Sequence, residues 1–271
     1  MTPKLREFVA SLCAVRAGLK VDPEKAYLID SRLAPVARRE GFGSAAELVH
    51  AVHDRADERL AWAMVEAMAP AQSGFFRDLQ VFEALRERLL PDMVRRAGGA
   101  PVRIWSVGCA HGQEPYSLAM LAEETPAWGD RIEIFASDLS ERMLERAQAG
   151  VFSPFEVQRG LSAKRLVRHF ENREEGFALS PRLRRRVRWR RVNLAEDALA
   201  FGGWDLILCR YVLGAMTPEA REGAALKLAA ALKPNGRLLL GLGEAAPAGV
   251  LQPVPGLAGA FEAAARIRQA A

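Results

Sequence analysis

Four short apolar runs recur in the second half of the sequence, and helical stretches separate them. The runs are VRIWSVG from residue 102, RIEIFASD from residue 131, WDLILCR from residue 204 and GRLLLGLG from residue 236. Apolar strands that alternate with helices are typical of a parallel sheet with helices on both faces. We therefore predict an α/β domain over residues 102–271.

The beginning of the chain has the pattern of helices alone. LREFVASLCAVRAGL ends at Gly18, a residue that commonly terminates a helix. Ser44 and Glu47 have the spacing of a capping box, which starts a helix. We predict a helical domain over 1–72 and an interdomain loop and helix over 73–101. Phe75 and Phe76, which lie in that loop, are expected to be core residues.

An irregular insertion follows the second apolar run, over about residues 152–190. It contains a helix-like piece, SAKRLVRHF, and we predict a hairpin over FALSPRLRRRVRWRRV. In the last part of that segment Leu183, Val187 and Trp189 alternate with arginines. This pattern predicts a strand with one apolar face and one arginine face.

The composition excludes several classes of protein. Lys and Arg outnumber Asp and Glu by 38 to 33 in the 271 residues, which gives a formal net charge of +5. The three cysteines lie far apart without CxxC spacing and the four histidines are scattered, so we predict no disulfide framework and no metal site. No run approaches the ~20 apolar residues of a membrane span, and the N-terminus has no signal-peptide pattern. We expect a cytoplasmic protein that does not insert into a membrane.

A glycine-rich turn joins the first apolar run to a helix in VGCAHGQE, where the glycines are Gly108 and Gly112. Such a turn lets a ligand approach the backbone at the carboxyl edge of the strands. The spacing matches neither a dinucleotide fingerprint nor a P-loop, so it indicates a nucleoside without a pyrophosphate. Asp138, at the end of the second run, is placed to accept the ribose hydroxyls. The alternative is a turn common to α/β domains, with Asp138 capping the next helix.

Several motifs, in order, resemble the CheR family of chemotaxis receptor glutamate O-methyltransferases, which use S-adenosylmethionine. The family's Gly-Glu-Glu-Pro-Tyr-Ser segment is similar to the GQEPYS that begins at Gly112. SGFFRD resembles its Thr-x-Phe-Phe-Arg motif, and FASDLSERMLERAQAGVFS resembles its second strand and helix. The resemblance covers about residues 5–245. It implies a small all-α N-terminal domain and a Rossmann-like class I methyltransferase domain with a small β-subdomain insertion.

The resemblance also implies a set of cofactor-binding residues. Asp138 would hold the ribose, and Asn193 and Leu194 would flank the adenine. Glu114 would contact the amino end of the methionine part, with the turn Gly108–Gly112 close to the cofactor. S-adenosylmethionine would be the cofactor and S-adenosylhomocysteine the product, with no metal.

Four further cofactor-binding residues are expected at the reaction centre. Arg77 would be the catalytic residue and would orient the acceptor, with Ser73 beside it. Arg210 and Tyr211 would line the pocket from the end of the third apolar run. A glutamate side chain has a reference pKa of about 4.3, so it is already a nucleophile at pH 7 and needs no general base.

The sequence departs from the family pattern on the acceptor side. Ala71 replaces an asparagine that precedes the Phe-Phe-Arg motif, Tyr211 replaces another asparagine, and Ala215 stands where the family has its active-site tyrosine. Near the end of the fourth run, Gly-His-Ser-Glu becomes 241-GLGE. These changes motivate an alternative function, in which a diverged paralogue binds the cofactor or its product but serves as a regulatory or scaffolding module.

The resemblance implies that the partner is the cytoplasmic domain of chemoreceptors. Some family members grip a tethering peptide with the β-subdomain through a glycine-rich turn, which is absent from ENREEGFALSP. We therefore expect a protein that does not depend on a tether. Arg32, Arg38 and Arg39 on an N-terminal helix could dock an acidic protein surface, or they are simply solvated.

The segment RLRRRVRWRR, which begins at residue 182, raises a second alternative to the favoured function. This alternative is a methyltransferase that acts on another acceptor such as nucleic acid. Trp189 would then stack on a base. It falls instead on the apolar face of the alternation, and arginines along a strand also discourage pairing at a sheet edge. The favoured function is methylation of receptor glutamates.

Overall fold

The computed structural model describes residues 1–196 and 202–264, so Asp197 of VNLAED and the end of the Ala-rich stretch 245–271 lie outside the described residues. The chain forms two compact units. The first contains Met1–Pro70 and two short later segments that begin at Asn193 and Gly214. The second contains Ala71–Val192 and most of the remaining chain. The domain boundaries given above remain a prediction.

The first unit is helical, and both predicted helix ends are confirmed. Gly18 follows α1 with a left-handed φ of 62°, and its N–H donates to the carbonyl of Ala14. Ser44 starts α3 by accepting the N–H of Glu47 at 3.2 Å, whereas the Glu47 carboxylate accepts the N–H of Gly43. The helices of this part are α1 (Pro3–Ala17), α2 (Ala26–Arg39), α3 (Ala45–Arg55) and α4 (Glu58–Met68).

The second unit begins with a helical segment that packs in the same core as the sheet. It runs through α5 (Leu79–Ala84), a π-helical turn (Leu85–Leu89) and α6 (Leu90–Arg96). Phe75 and Phe76 are 1% and 3% exposed, so their prediction as core residues is confirmed.

The four apolar runs form adjacent parallel strands, which confirms the predicted α/β fold. The chain elements are β1 (Val102–Val107), α7 (Gln113–Glu123), a 3-10 turn (Gly129–Arg131), β2 (Ile132–Asp138), α8 (Glu141–Ala149), β7 (Trp204–Cys209), a 3-10 turn (Leu213–Ala215), α12 (Pro218–Ala231) and β8 (Leu232–Leu240). The carboxyl ends of β1, β2 and β7 therefore meet at one edge of the sheet. This edge carries the glycine turn, Asp138 and Arg210.

Two short antiparallel strands near the C-terminus, β9 (Leu251–Pro253) and β10 (Ala260–Ala263), complete the sheet. The sheet has seven strands in the order β6-β2-β1-β7-β8-β10-β9, where β6 is Val187–Arg191. The weak pattern of the Ala-rich stretch gave no sign of these strands.

The insertion differs from its prediction. Its hairpin is formed by β4 (Phe170–Arg173) and β5 (Gly176–Leu179), with β3 (Val151–Phe152) on the other side of β5. The hairpin expected over FALSPRLRRRVRWRRV is wrong, because Pro181 starts a short helix, α11 (Pro181–Arg184), and β6 pairs in parallel with β2. The remaining helices of the insertion are α9 (Pro154–Gln158) and α10 (Ala163–His169).

Across the part of the chain that the structure describes, no helix is both long enough and apolar enough to cross a membrane.

Candidate active site

The glycine turn after β1 has a left-handed backbone at three positions. They are Gly108 (φ 63°), Ala110 (φ 48°) and Gly112 (φ 89°). A side chain at Gly108 would place its Cβ 2.5 Å from Cγ2 of Val212, and one at Gly112 would lie 3.0 Å from Cβ of Ala147. Glycine is therefore required at position 108 by both the backbone conformation and the packing.

Asp138 is fixed at the carboxyl end of β2 by backbone donors. Its Oδ2 accepts the N–H of Ala110 at 2.9 Å and its Oδ1 accepts the N–H of Ser140 at 3.0 Å. The side chain thus holds the glycine turn and also contacts the start of α8, whose N-cap is Ser140. The alternative role of Asp138 as the cap of the next helix is wrong, because the side chain of Ser140 caps α8 by accepting the N–H of Met143. Asp138 remains 8% exposed beside the turn.

A small polar cavity lies next to the glycine turn. Its walls are Gln72, Ser73, Gly74, Arg77, Gly108, Cys109, Glu114, Arg210 and Tyr211. Six residues that the sequence analysis assigned to the site are among them. The second unit alone supplies all of these walls.

Arg210 is the buried centre of this cavity. Its side chain is 2% exposed, and it donates to Oε2 of Glu114 at 2.9 Å and to Oδ2 of Asp78 at 2.6 Å. It also donates to the carbonyl of Arg77 at 2.7 Å. Ser106 donates to the other oxygen of Glu114 at 2.7 Å. Two carboxylates therefore neutralise Arg210 and fix it in place.

Arg77 has a different environment. Its guanidinium lies over the ring of Tyr211, with Cζ 3.7 Å from the ring centroid, and Nη1 donates to the carbonyl of Gln72 at 3.1 Å. Among residues 1–196 and 202–264, no carboxylate forms an ion pair with Arg77. A cation without a carboxylate partner at a cavity wall is suited to binding an anionic ligand.

Backbone strain concentrates around the cavity. Of the six non-glycine residues with positive φ in the described chain, four lie in or beside the site: Phe76, Asp78, Ala110 and Tyr211. Such residues cost of order 1–3 kcal/mol each and cluster at functional sites.

The two residues expected to flank an adenine belong to a different compact unit from the cavity walls. Asn193 and Leu194 belong to the first compact unit and are 8% and 7% exposed. The amide of Asn193 donates to the carbonyl of Arg16 at 2.7 Å, and its oxygen accepts the N–H of Ala195 at 3.1 Å. Their contact with a cofactor remains a prediction.

Three residues of the site were not assigned from the sequence. Asp78 binds Arg210, Ser106 binds Glu114, and Glu244 accepts the backbone N–H groups of Tyr211 and Gly241 at 2.6 and 2.7 Å. A signal existed for the first two. Asp78 directly follows Arg77 in SGFFRD, and Ser106 is a polar residue inside an apolar strand.

Cys109, the thiol at the cavity wall, is not activated. Burial raises its pKa well above the ordinary value, and the negative charges of Asp138 and Glu114 raise it further. The thiol therefore stays protonated at neutral pH. Within the residues that the structure describes, no cluster of three or more His, Cys, Asp or Glu side chains could hold a metal ion.

Comparison with known proteins identifies the family. Residues 71–254 match the family model of the CheR methyltransferase, SAM binding domain. The chain belongs to the CheR methyltransferase family. It is 36% identical over 246 residues to chemotaxis protein methyltransferase 1 of Pseudomonas aeruginosa, which covers 89% of this chain and 88% of the relative. It is also 33% identical over 248 residues to chemotaxis protein methyltransferase Cher2 of Pseudomonas putida, with 89% of each chain covered.

A third relative is the chemotaxis protein methyltransferase of Vibrio anguillarum, 35% identical over 242 residues, which cover 88% of this chain and 86% of the relative. The family resemblance read from the sequence is thereby confirmed, and so is S-adenosylmethionine as the cofactor. This CheR-family protein is a methyltransferase of chemotaxis.

The chemistry of the cavity walls suits the methionine end of such a cofactor. Nε of Arg210 is buried and has no hydrogen-bond acceptor in the described part of the chain, so a ligand oxygen would satisfy it. Carboxylate, guanidinium and hydroxyl groups also line this one cavity, where they complement the charged methionine end of the cofactor.

Proposed function

We propose that this CheR-family methyltransferase methylates the side-chain carboxylates of glutamates in the cytoplasmic domain of chemoreceptors, without a tethering peptide. The observation that carries the proposal is Arg77, a cavity-wall cation that no carboxylate of the described chain neutralises. The names of the relatives, which are chemotaxis protein methyltransferases, support the class of partner.

The residues of this chain divide into cofactor holders and an acceptor holder. Asp138 would bind the ribose hydroxyls, Asn193 and Leu194 would contact the adenine, and Glu114 would bind the amino group of the methionine part. The backbone of the turn Gly108–Gly112 would approach the cofactor closely, because its glycines leave no side chain in the way.

Arg77 would orient the two oxygens of the acceptor carboxylate with a paired hydrogen bond, with Ser73 beside it. Arg210 would keep the cavity wall rigid, since its own charge is already balanced by Glu114 and Asp78. No residue has to remove a proton, because a glutamate carboxylate with a pKa near about 4.3 is ionised at pH 7.

When bound, S-adenosylmethionine would supply an electrophilic methyl group on a sulfonium, whose sulfur would keep the electron pair of the broken S–C bond. The protein contributes by orienting the reactants and excluding water. Together these effects can lower the activation free energy by several kcal/mol, and by on the order of 7–11 kcal/mol for ideal alignment.

The first test measures binding. Calorimetric titration with S-adenosylhomocysteine should give micromolar binding for the unchanged protein and at least about tenfold weaker binding for Asp138→Ala, because the variant loses the carboxylate and loosens the glycine turn. Asp92→Ala, at an exposed ion pair on α6, is the matched control and should bind normally. Absence of binding in the unchanged protein contradicts the proposed site.

The second test measures the product. Radiolabelled methyl groups transferred to a receptor cytoplasmic fragment should be released by mild base, as expected of carboxyl esters. Arg77→Met should lower transfer by about tenfold or more, whereas Arg95→Met, at an exposed arginine, should not. Base-stable label on the receptor, or preferential label on nucleic acid, would contradict glutamate as the acceptor.

A further inference from the structure

Tyr211 has a backbone conformation that bulky residues avoid. It directly follows Arg210 beyond the end of β7 with φ of 62°, in the left-handed region that favours glycine and asparagine. Its N–H donates to Oε2 of Glu244 at 2.6 Å, and the N–H of Gly241 donates to the same oxygen. A tyrosine held there at an energetic cost points to a role for its side chain.

The hydroxyl of Tyr211 joins two loops of the cavity. It donates to Oδ2 of Asp78 at 2.5 Å and accepts the N–H of Leu242 at 3.2 Å. Burial raises the pKa of Tyr211, and the hydrogen bond to Asp78 and its negative charge raise it further, so the phenol stays protonated. Because Asp78 directly follows Arg77, this hydrogen bond fixes the loop that carries Arg77.

The ring of Tyr211 acts on Arg77 itself. The guanidinium lies 3.7 Å from the ring centroid, within the range of a favourable cation–π contact. Since no carboxylate in the described residues pairs with Arg77, this stack and the bond to the carbonyl of Gln72 set the position of the cation.

We propose that Tyr211 is a positioning residue of the methyl transfer: its ring holds the guanidinium of Arg77 at the cavity, and its hydroxyl fixes the loop that carries Arg77. This inference rests on the proposed function. It assigns Tyr211 to the acceptor side, through Arg77, and differs from the direct cofactor contact expected for Tyr211 from the sequence.

Two substitutions separate the two parts of the side chain. Tyr211→Phe keeps the stack and loses the bonds of the hydroxyl, whereas Tyr211→Asn loses both and suits the left-handed backbone better. We expect Tyr211→Asn to melt no lower than the unchanged protein and to bind S-adenosylhomocysteine within about threefold. Its kcat/KM on a receptor fragment should fall roughly 3- to 30-fold, and that of Tyr211→Phe should fall less. If Tyr211 had only a structural role, Tyr211→Asn would instead lower the melting temperature together with kcat/KM.

A double-mutant cycle tests whether Tyr211 acts through Arg77. In the Arg77→Lys background, Tyr211→Asn should lower kcat/KM by less than about twofold, because the guanidinium that the ring positions is already gone. Losses that multiply in the double variant overturn the proposal. Arg95→Lys serves as the control background, in which Tyr211→Asn should have its full effect.

A structural readout keeps the inference testable if no receptor is methylated. In protein labelled with 15N-arginine, the Arg77 side-chain Nε–H resonance is identified by its absence from Arg77→Lys. It should shift in Tyr211→Asn, which removes the ring current, and shift less in Tyr211→Phe. An unshifted resonance in Tyr211→Asn contradicts the inference about Tyr211, whereas binding of S-adenosylhomocysteine without methyl transfer contradicts the proposed function.

Discussion

At the scale of single residues, Gly108 has both a left-handed backbone and a close neighbour that leaves no room for a side chain, whereas Gly98 has only the left-handed backbone. Gly98 has a left-handed φ of 55°, and a Cβ added there would have no atom within 4 Å, whereas a Cβ added at Gly108 would lie 2.5 Å from Val212. Alanine at either site costs about 1–2 kcal/mol for the backbone. Only at Gly108 does a steric clash add to that cost.

We therefore predict that Gly98→Ala lowers the melting temperature by about 2–8 °C and leaves the affinity for S-adenosylhomocysteine unchanged. Gly108→Ala should lower it further and weaken the affinity at least about tenfold, because the turn must move to admit the methyl group. Scanning calorimetry and titration measure the two effects. Val212→Ala should restore part of the lost stability in Gly108→Ala but not in Gly98→Ala, and equal effects at the two glycines would refute the argument.

At the scale of elements, Glu156 of the insertion helix α9 joins the insertion to the glycine turn. Its carboxylate accepts both hydrogen bonds of Arg146 on α8 at 2.9 and 3.0 Å and caps its own helix through Ser153. Nδ1 of His111, in the glycine turn, lies 3.5 Å from Oε1 of the same residue. An element far from the turn in sequence therefore contacts the turn.

The environment of His111 predicts a dependence on pH. Burial lowers the pKa of His111 and the positive charge of Arg146 lowers it further, which outweighs the opposite effect of Glu156. The folded state thus favours neutral histidine. Its contribution to stability is full above the unfolded pKa of about 6.5 and is lost as the pH falls towards the folded pKa.

We expect the melting temperature of the unchanged protein to fall more between about pH 7.5 and pH 5.5 than that of His111→Asn, because asparagine does not take up a proton. His53→Asn, at a half-exposed histidine of α3, is the control and should follow the unchanged protein. Parallel curves for His111→Asn and the unchanged protein would show that His111 does not titrate in this way.

Part of the fold and of the candidate site could be predicted from the sequence. The parallel strands could be predicted because each is an apolar run bounded by turns, and the cavity residues because their motifs are specific. The partner of VRWRR could not be predicted, because alternation defines the two faces of a strand but not its neighbour, and Pro181 begins a helix where a hairpin was expected. The pairing of Arg210 with Glu114 and Asp78 depends on three chain segments that only the fold brings together.

At the scale of the whole molecule, exposed arginines outside the cavity form a basic surface. The formal net charge is +5, and Arg182, Arg185 and Arg188 of the arginine-rich segment are exposed. Within the cavity, by contrast, the charge of Arg210 is balanced over distances below 3 Å. Salt screens exposed charges beyond about 8–10 Å and affects buried, directly paired charges much less.

This contrast predicts that salt slows association with the receptor but leaves the affinity for the cofactor product nearly unchanged. Raising NaCl from about 50 to about 300 mM should lower kcat/KM for an acidic receptor fragment by about 3–10-fold, because the basic surface accelerates encounter with an acidic partner. The dissociation constant of S-adenosylhomocysteine should change by less than about twofold over the same range. If kcat/KM does not respond to salt, the basic surface plays no part in recognition, and the receptor must be bound through apolar or hydrogen-bonded contacts.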